Sequence, residues 1–183
     1  MRIISGKFKG KRIPTFGKLD ARPTTDFAKE GLFNVLNNHL DFENLSVLDL
    51  FSGTGSISFE LISRGSGPVI AIEMNDKHCA YIRKIANELN ADQLTVLRAD
   101  VFRFVNSCKL KFDFIFADPP YQLDILQKLP DLIFNNSLLN NEGLFVLEHS
   151  DKQSFTTHPR FAFHKRYGNV NFSFFTLQQE PQP

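Results

Sequence analysis

Short apolar segments alternate with helix-length segments over most of the chain, and this alternation constrains the fold more than any other feature of the sequence. Five apolar runs predict buried strands, at residues 46–51, 69–73, 94–99, 112–117 and 144–147. Helices are predicted between them, at residues 56–64, after Asn75, and from about Gln122 with a break near Pro130. Because strict alternation produces right-handed crossovers, the sequence predicts a doubly wound α/β sheet that is mostly parallel.

The two ends of the chain depart from this alternation. Residues 160–167 and 170–177 are aromatic and β-branched runs separated by Gly168 and Asn169, which predicts an antiparallel hairpin and brings the sheet to seven strands. Residues 2–14 are predicted as a small N-terminal β-hairpin, followed by a helix that reaches about Leu40. We expect one domain over residues 1–183, made of an N-terminal extension (1–40), a Rossmann-like core (41–178) and a tail (179–183).

Cysteine spacing and hydropathy exclude several classes of protein. Cys79 and Cys108 have neither the spacing of a disulfide framework nor that of a zinc site. No apolar run approaches the roughly 18 residues that a membrane-spanning helix needs. We therefore expect a monomeric cytoplasmic protein with no bound metal and no membrane partner.

The charge of the chain is unevenly distributed. The formal net charge of +1 argues by itself against a basic nucleic-acid-binding surface. The first 30 residues nevertheless carry eight basic and three acidic side chains, so that the remaining 153 residues sum to −4. A basic arm on a near-neutral body favours a polyanionic partner, and a solvated terminal tail is the alternative explanation.

The first candidate site is a glycine-containing turn after the first strand. Gly53 and Gly55 permit a tight turn and a close approach of a ligand to the backbone, and the next helix begins with free N–H groups. Glu73 ends the next strand, where a carboxylate is placed to accept hydrogen bonds from ribose hydroxyls. Ser58 replaces the third glycine of a dinucleotide fingerprint, and Asp49 precedes the glycines, so a cationic adenosine cofactor is favoured over a pyrophosphate. A tight turn without a ligand is the alternative.

The second candidate site is the run Asp118-Pro119-Pro120-Tyr121 at the end of the fourth strand. Prolines lack N–H donors and fix φ, so this stiff turn offers acceptors, the Asp118 carboxylate and the Pro119 carbonyl. Two acceptors beside the Tyr121 ring fit a planar base with an exocyclic NH₂. Accepting both amine hydrogens frees the nitrogen lone pair to attack an electrophilic methyl group, without a histidine base or a metal. A rigid turn without a substrate is the alternative.

These two motifs, in this order on this fold, resemble those of the class I S-adenosylmethionine-dependent methyltransferases that modify exocyclic amines. Further segments are similar to the RsmD family of bacterial 16S rRNA guanine-N2 methyltransferases, namely residues 2–11, 22–26, 30–36, 63–65 and 166–168. The resemblance covers nearly the whole chain. It implies methyl transfer from S-adenosylmethionine to a guanine N2 amine in small-subunit ribosomal RNA, presented as naked RNA or as an assembly particle.

The resemblance also implies roles for individual residues. The cofactor would be bound by residues that lie in or follow the first three strands: Asp49, Phe51, Ser52, Gly53, Gly55, Glu73, Met74, Asp100 and Val101. The cofactor would be covered by Thr24, Thr25 and Asp26. The guanine would be received, next to the cofactor, by Asp118, Pro119, Pro120 and Tyr121. RNA phosphates would be contacted by Arg2, Lys7, Lys9, Lys11, Arg12, Arg22 and Arg166.

Four other functions fit parts of the sequence less well. A DNA adenine-N6 methyltransferase uses the same Asp-Pro-Pro-Tyr chemistry but generally carries an additional target-recognition domain. A glutamine-N5 protein methyltransferase is expected to have Asn in place of Asp118. A non-catalytic RNA-binding module explains the basic arm but not Asp118 and Tyr121, and an NAD-dependent oxidoreductase is disfavoured by Ser58.

Overall fold

Strands and helices alternate along the chain as the sequence pattern predicts. The computed structural model describes residues 2–14, 16, 26–120 and 126–177. The strands are β1 (Val47–Leu50), β2 (Val69–Glu73), β3 (Leu94–Arg98), β4 (Phe112–Ala117), β5 (Leu139–His149), β6 (Phe161–Tyr167) and β7 (Val170–Thr176). The helices are α1 (Asp26–Leu36), α2 (Ser56–Ser63), α3 (Asp76–Leu89), α4 (Val101–Ser107) and α5 (Leu129–Asn135), and a 3-10 turn (Leu126–Lys128) precedes α5.

The seven strands belong to one sheet with the order β3-β2-β1-β4-β5-β7-β6. β1 pairs in parallel with β2 and β4, and the β2–β3 and β4–β5 pairs are also parallel. β7 pairs antiparallel with β5 and β6, and Gly168 adopts a positive φ of 63° in the turn between β6 and β7. The predicted doubly wound, mostly parallel sheet with a C-terminal antiparallel hairpin is therefore confirmed.

Helices cover both faces of the sheet because neighbouring residues of a strand point to opposite sides. Val47 and Leu48 of β1 are both fully buried, but they belong to separate apolar clusters. The cluster around Val47 includes residues of α1, α2 and α3, and the cluster around Leu48 includes residues of α4 and α5. Asn75 caps α3 as predicted, since its side chain accepts hydrogen bonds from the N–H groups of Lys77 and His78.

The small hairpin predicted for residues 2–14 is confirmed, since Arg2 and Arg12 form an antiparallel bridge and the Ile3 N–H group donates to the Lys11 carbonyl at 3.0 Å. Other backbone donors of this segment are directed at α2. The N–H groups of Ile4 and Ser5 donate to the carboxylate of Glu60 at 2.8 and 3.0 Å. The hairpin is therefore docked on α2, a contact that the sequence pattern does not predict.

Other differences lie at element boundaries. β5 is longer than predicted because the polar residues 140–142 obscure its apolar pattern. Pro130 lies in the first turn of α5, where a proline is tolerated. The predicted start of this helix near Gln122 lies outside the described residues. α1 ends at Leu36 instead of near Leu40, and α4 has no counterpart among the predicted elements. None of the described helices is long and apolar enough to cross a membrane.

Candidate functional site

The candidate site lies beyond the carboxyl ends of β1 and β4, at the switch point of the sheet. The chain leaves β1 toward β2 on one side, whereas β4 continues toward β5 on the other side. Such a switch point opens a crevice in which doubly wound proteins bind ligands. The last residues of the two strands, Leu50 and Ala117, are register partners, and the Asp118 N–H group donates to the Leu50 carbonyl at 3.3 Å. The two motifs predicted from the sequence therefore meet at one crevice.

The turn after β1 is built from three residues with positive φ. Phe51, Gly53 and Gly55 have φ values of 59°, 55° and 76°. A Cβ atom on Gly53 would lie no closer than 3.9 Å to another atom outside the adjoining residues, so this glycine faces open space. A Cβ atom on Gly55 would lie 3.0 Å from the ring of Phe59, so Gly55 is needed for packing of α2. Gly53 is thus the place where a ligand can approach the backbone closely.

Glu73 joins the end of β2 to this turn. Its Oε2 atom accepts from the Gly53 N–H group at 2.9 Å, and its Oε1 atom accepts from the Asn75 N–H group at 2.7 Å. The side chain is 13% exposed. A carboxylate oxygen has two acceptor positions, so both oxygens keep capacity for a hydroxyl group of a ligand.

Asp49 lies behind the turn and is buried. Its Oδ2 atom accepts a hydrogen bond of 2.5 Å from the Ser58 hydroxyl. Burial raises the pKa of Asp49 to about 7, and the charge of Glu73 acts in the same direction, whereas the hydrogen bonds from Ser58 lower it. Ser58 therefore has a structural reason to stand where a dinucleotide fingerprint has its third glycine, because it holds this carboxylate.

The third part of the site lies between the ends of β2 and β3. Asp100 caps α4, since its side chain accepts from the Arg103 N–H group at 2.9 Å, and the next residue, Val101, is buried. Met74 is 67% exposed although it is apolar. The Phe51 ring packs edge-on against Phe102 at 6.1 Å, below the same opening. These residues supply an apolar surface next to the Glu73 carboxylate.

The described residues of the second motif, Asp118 to Pro120, differ in their exposure to solvent. Asp118 is half-buried, Pro119 is buried and Pro120 is exposed. Tyr121 lies outside the described residues, as do Thr24 and Thr25 of the predicted cover and Arg22 of the basic set. Asp26 is the first residue of α1.

The predicted RNA-contacting residues fall into two groups. Four of them, Lys7, Lys9, Lys11 and Arg12, are exposed in the segment that is docked on α2. Arg2 lies in the same segment and forms an exposed ion pair with Glu30 at 2.7 Å. Arg166 lies on the C-terminal hairpin, where its Nε atom donates to the Gly168 carbonyl.

Sequence reasoning missed a buried polar cluster that joins the N-terminal segment to α1 and α2. Its charged members are Lys29, which is 1% exposed, and Glu60, which is fully buried. Ser63 binds the same segment through its hydroxyl and carbonyl groups. The signal that could have revealed the cluster is a charged residue within an apolar helix run, as Glu60 is within residues 57–62.

Comparisons with known proteins show the family of this chain. Residues 1–176 match a protein family described as Conserved hypothetical protein 95. The chain is 33% identical over 148 residues to Ribosomal RNA small subunit methyltransferase D of Buchnera aphidicola subsp. Baizongia pistaciae, and the match covers 81% of this chain and 75% of the relative. It is 27% identical over 183 residues to the Escherichia coli (strain K12) protein of the same name, and this match covers 100% of this chain and 91% of the relative.

A solved structure extends the agreement to three dimensions. The structure of yhhF from Escherichia coli has a TM-score of 0.85 with this chain at 26% identity, and the superposition covers 98% of this chain and 99% of the other. Family match, curated relatives and fold all span nearly the full chain. The chain therefore belongs to the Conserved hypothetical protein 95 family and is a methyltransferase of the RsmD type.

Proposed function

We propose that this chain transfers a methyl group from S-adenosylmethionine to the exocyclic N2 amine of a guanine in small-subunit ribosomal RNA. The observation that carries the proposal is the hydrogen bond from the Asp118 N–H group to the Leu50 carbonyl, which brings the Asp-Pro-Pro motif beside the glycine turn. A cofactor in that turn and an amine held by the motif would therefore share one crevice. The names of the relatives, ribosomal RNA small subunit methyltransferase D, support the RNA substrate.

The residues around the turn fit S-adenosylmethionine. Gly53 leaves open space where the methionine part would lie against the backbone, and Glu73 offers acceptor positions to ribose hydroxyls. Met74 and Phe102 supply apolar surface for an adenine ring. The Glu73 carboxylate at this end of the sheet suits a cofactor that carries a sulfonium and an ammonium group. When bound, the cofactor supplies the electrophilic methyl group.

Asp118 and Pro119 would hold the amine that attacks this methyl group. The Asp118 carboxylate and the Pro119 carbonyl each accept one amine hydrogen, which orients the nitrogen lone pair toward the methyl carbon. The cofactor would supply the methyl group, so that a new bond from carbon to this nitrogen would replace the bond from carbon to sulfur. The nitrogen then loses one proton, which passes to the Asp118 carboxylate and from there to water. Tyr121 would stack on the guanine ring.

The lysines of the N-terminal segment would bind RNA phosphates. Lys7, Lys9 and Lys11 carry no ion pair with a carboxylate among the described residues, so their charges are available to a polyanion. Asp26 at the start of α1, together with Thr24 and Thr25, would close over the cofactor. We expect the enzyme to act as a monomer in the cytoplasm, where ribosomal RNA is assembled.

The proposal is tested by methyl transfer with a radiolabelled cofactor. Ribosomal RNA and small-subunit particles from cells that lack the enzyme are the substrates, and the product is digested to nucleosides. We expect label in N2-methylguanosine, and the preferred substrate distinguishes naked RNA from an assembly particle. Label in N6-methyladenine would instead support an adenine methyltransferase, and the absence of label from all substrates would support a non-catalytic RNA-binding module.

Asp118→Ala is the matched inactive variant for this assay. It removes an acceptor for the amine but leaves the glycine turn and Glu73 in place, so methyl transfer should fall by at least about 10²-fold. Cofactor affinity, measured by calorimetry, should stay within about twofold of wild type. Equal decreases in transfer and cofactor affinity would show that Asp118 serves the cofactor and not the amine.

A further inference from the structure

The N-terminal basic segment is fixed to the protein by buried polar contacts. Ile3 and Ile13 anchor its two ends in the apolar core, with 1% and 5% exposure. Between them, the N–H groups of Ile4 and Ser5 donate to the two oxygens of Glu60. A terminal segment that only carried charge would not need these contacts, because a solvated lysine binds phosphate without them.

Glu60 is the centre of this attachment. It is fully buried on α2 and is surrounded by two cations, with the Arg64 Nε atom at 3.0 Å and the Lys29 Nζ atom at 3.8 Å. The Lys29 Nζ atom in turn donates to the Arg2 carbonyl at 2.7 Å and to the Ser56 hydroxyl at 3.3 Å. One buried network therefore connects the basic segment, α1 and the first residue of α2.

Ser63 provides a second attachment point one turn farther along α2. Its hydroxyl group donates to the Ser5 carbonyl and accepts from the Phe8 N–H group, and its carbonyl group accepts from the Lys7 N–H group at 2.7 Å. Gly6 lies so close to this turn of α2 that a Cβ atom on it would be 1.7 Å from the Ser63 carbonyl oxygen. The segment thus follows α2 at backbone contact distance.

The basic side chains of the segment gather at its surface. Lys7 and Lys11 place their Nζ atoms 4.7 and 5.5 Å from the centroid of the Phe8 ring, so both ammonium groups lie around one half-buried aromatic side chain. Lys9 and Arg12 are exposed in the same segment. The segment therefore presents a cluster of cations whose backbone cannot shift without breaking the contacts to Glu60 and Ser63.

α2 also begins at the glycine turn that follows β1. Ser56 follows Gly55 directly, and Glu60 lies about one helical turn, or roughly 6 Å of helix axis, from it. A short rigid helix therefore separates the proposed phosphate-binding cations from the glycine turn. Any RNA bound by those cations is held in a fixed relation to the crevice that contains Asp118.

We infer that Glu60 is a positioning residue, which fixes the basic segment to α2 so that RNA phosphates bound there bring the target base to Asp118. This inference rests on the proposed function. It assigns no chemistry to Glu60, which touches neither the amine nor the cofactor. It predicts that undocking the segment weakens RNA binding and leaves cofactor binding intact.

Two glycine variants test the inference without removing a buried charge. Gly6→Ala and Gly10→Ala impose the same strain, since the glycines have φ values of 79° and 81°. Only Gly6→Ala adds a clash, because a Cβ atom on Gly10 meets nothing within 4 Å. We expect Gly6→Ala to weaken RNA binding at least tenfold. The salt slope, which is the slope of the logarithm of the binding constant against the logarithm of the salt concentration, should become smaller in magnitude by about one unit for each phosphate that is no longer bound. Gly10→Ala should keep the wild-type slope.

The readouts separate positioning from a purely structural role. Gly6→Ala should raise the KM for RNA more than it lowers kcat, and its affinity for S-adenosylmethionine should match wild type. Ser63→Ala, which removes two hydrogen bonds without a clash, should show a smaller change of the same kind and serves if Gly6→Ala fails to fold. Wild-type affinity and salt slope in both variants would overturn the inference. Absence of salt-dependent RNA binding by the wild-type protein would instead overturn the proposed function.

Discussion

Two glutamates bind pairs of backbone N–H groups in this protein, but their surroundings differ. Glu73 accepts from Gly53 and Asn75 at the rim of the glycine turn and keeps 13% of its side chain exposed. Glu60 accepts from Ile4 and Ser5 in the interior, where it is fully buried between Lys29 and Arg64. Because Glu73 is partly exposed, its oxygens can still accept hydrogen bonds from a ligand. Glu60 is buried, and its oxygens bind the N-terminal segment to α2.

We propose a ligand-binding role for the exposed carboxylate and a positioning role for the buried one. A carboxylate at a rim can exchange water for a ligand hydroxyl at little free-energy cost. A buried carboxylate must keep all its partners, because an unpaired buried charge is strongly destabilising. The following variants test this contrast, beginning with the largest expected effect.

Glu60→Ala should be the most destabilising of these substitutions. It leaves the Lys29 ammonium group buried without its carboxylate, and breaking a buried ion pair in this way costs about 3–5 kcal/mol. For a chain of this length, that corresponds to a decrease in Tm of roughly 10 °C in thermal denaturation.

The double variant Lys29→Met/Glu60→Leu is the control for this prediction. Replacing both charged groups with apolar side chains of similar size should restore part of the stability. A single Glu60→Ala variant as stable as wild type would show that the network contributes little to the folded state.

Asp49→Asn should stabilise the protein in a pH-dependent manner. Because burial raises the pKa of Asp49 to about 7, the folded protein binds a proton more tightly than the unfolded chain does. The stability contributed by the neutral carboxyl group is present at low pH and is lost as the pH rises from about 4 to 7. The variant cannot ionise at this position. Its free energy of unfolding should therefore exceed that of wild type by an amount that grows over that pH range to at most about 4 kcal/mol.

Asp113→Asn is the control, and this substitution should lower the free energy of unfolding instead of raising it. Burial raises the pKa of Asp113, but hydrogen bonds from Ser46 and Asn140 outweigh it and hold the pKa below its usual value. The stability that this carboxylate contributes is present above about pH 4 and is lost as the pH falls through its lowered pKa, so Asp113→Asn should be less stable than wild type by a nearly constant amount above about pH 5. An Asp49→Asn difference from wild type that is as constant between pH 4 and 8 as that of Asp113→Asn would contradict the raised pKa of Asp49.

Glu73→Ala should affect the cofactor more than the fold. It removes the acceptor proposed for the ribose hydroxyls, and a hydrogen bond to a charged group contributes about 1.5–3 kcal/mol, so affinity for S-adenosylmethionine should fall about 10- to 100-fold. Calorimetry measures the affinity, and thermal denaturation should show a smaller decrease in Tm than for Glu60→Ala. A variant that binds the cofactor as wild type does would remove Glu73 from the site.

Arg2→Ala should have the smallest effect. The ion pair with Glu30 is exposed to solvent on both sides, and such pairs contribute less than about 1 kcal/mol. The Tm should change by no more than a few degrees. A decrease as large as that of Glu60→Ala would mean that the segment is held by its exposed charges and not by the buried network.

The glycine turn and the sheet could be predicted from the sequence because their signals are local. Alternating apolar and helical runs define the strands, and the positions of Gly53 and Glu73 follow from the pattern of one crossover unit. The hydrogen bond between Asp118 and Leu50 follows in turn, since adjacent parallel strands end at one edge.

The attachment of the N-terminal segment could not be predicted, because it joins residues that are distant in the sequence. Ile4 and Glu60 lie 56 positions apart, and no pattern in residues 2–14 indicates that backbone donors will bind a helix side chain. Charge counting correctly identified a basic segment, but it left the alternative of a solvated tail open. The buried Lys29 was missed because a lysine in an amphipathic helix ordinarily lies on the exposed face.

The central claim is that the crevice beyond β1 and β4 holds the cofactor beside the amine-binding motif. A crystal structure with bound S-adenosylmethionine tests it most directly. We expect the ribose hydroxyls within hydrogen-bond distance of Glu73, the methionine part against Gly53, and the methyl group facing Asp118. A cofactor bound elsewhere on the protein, or with its methyl group directed away from Asp118, would contradict the account.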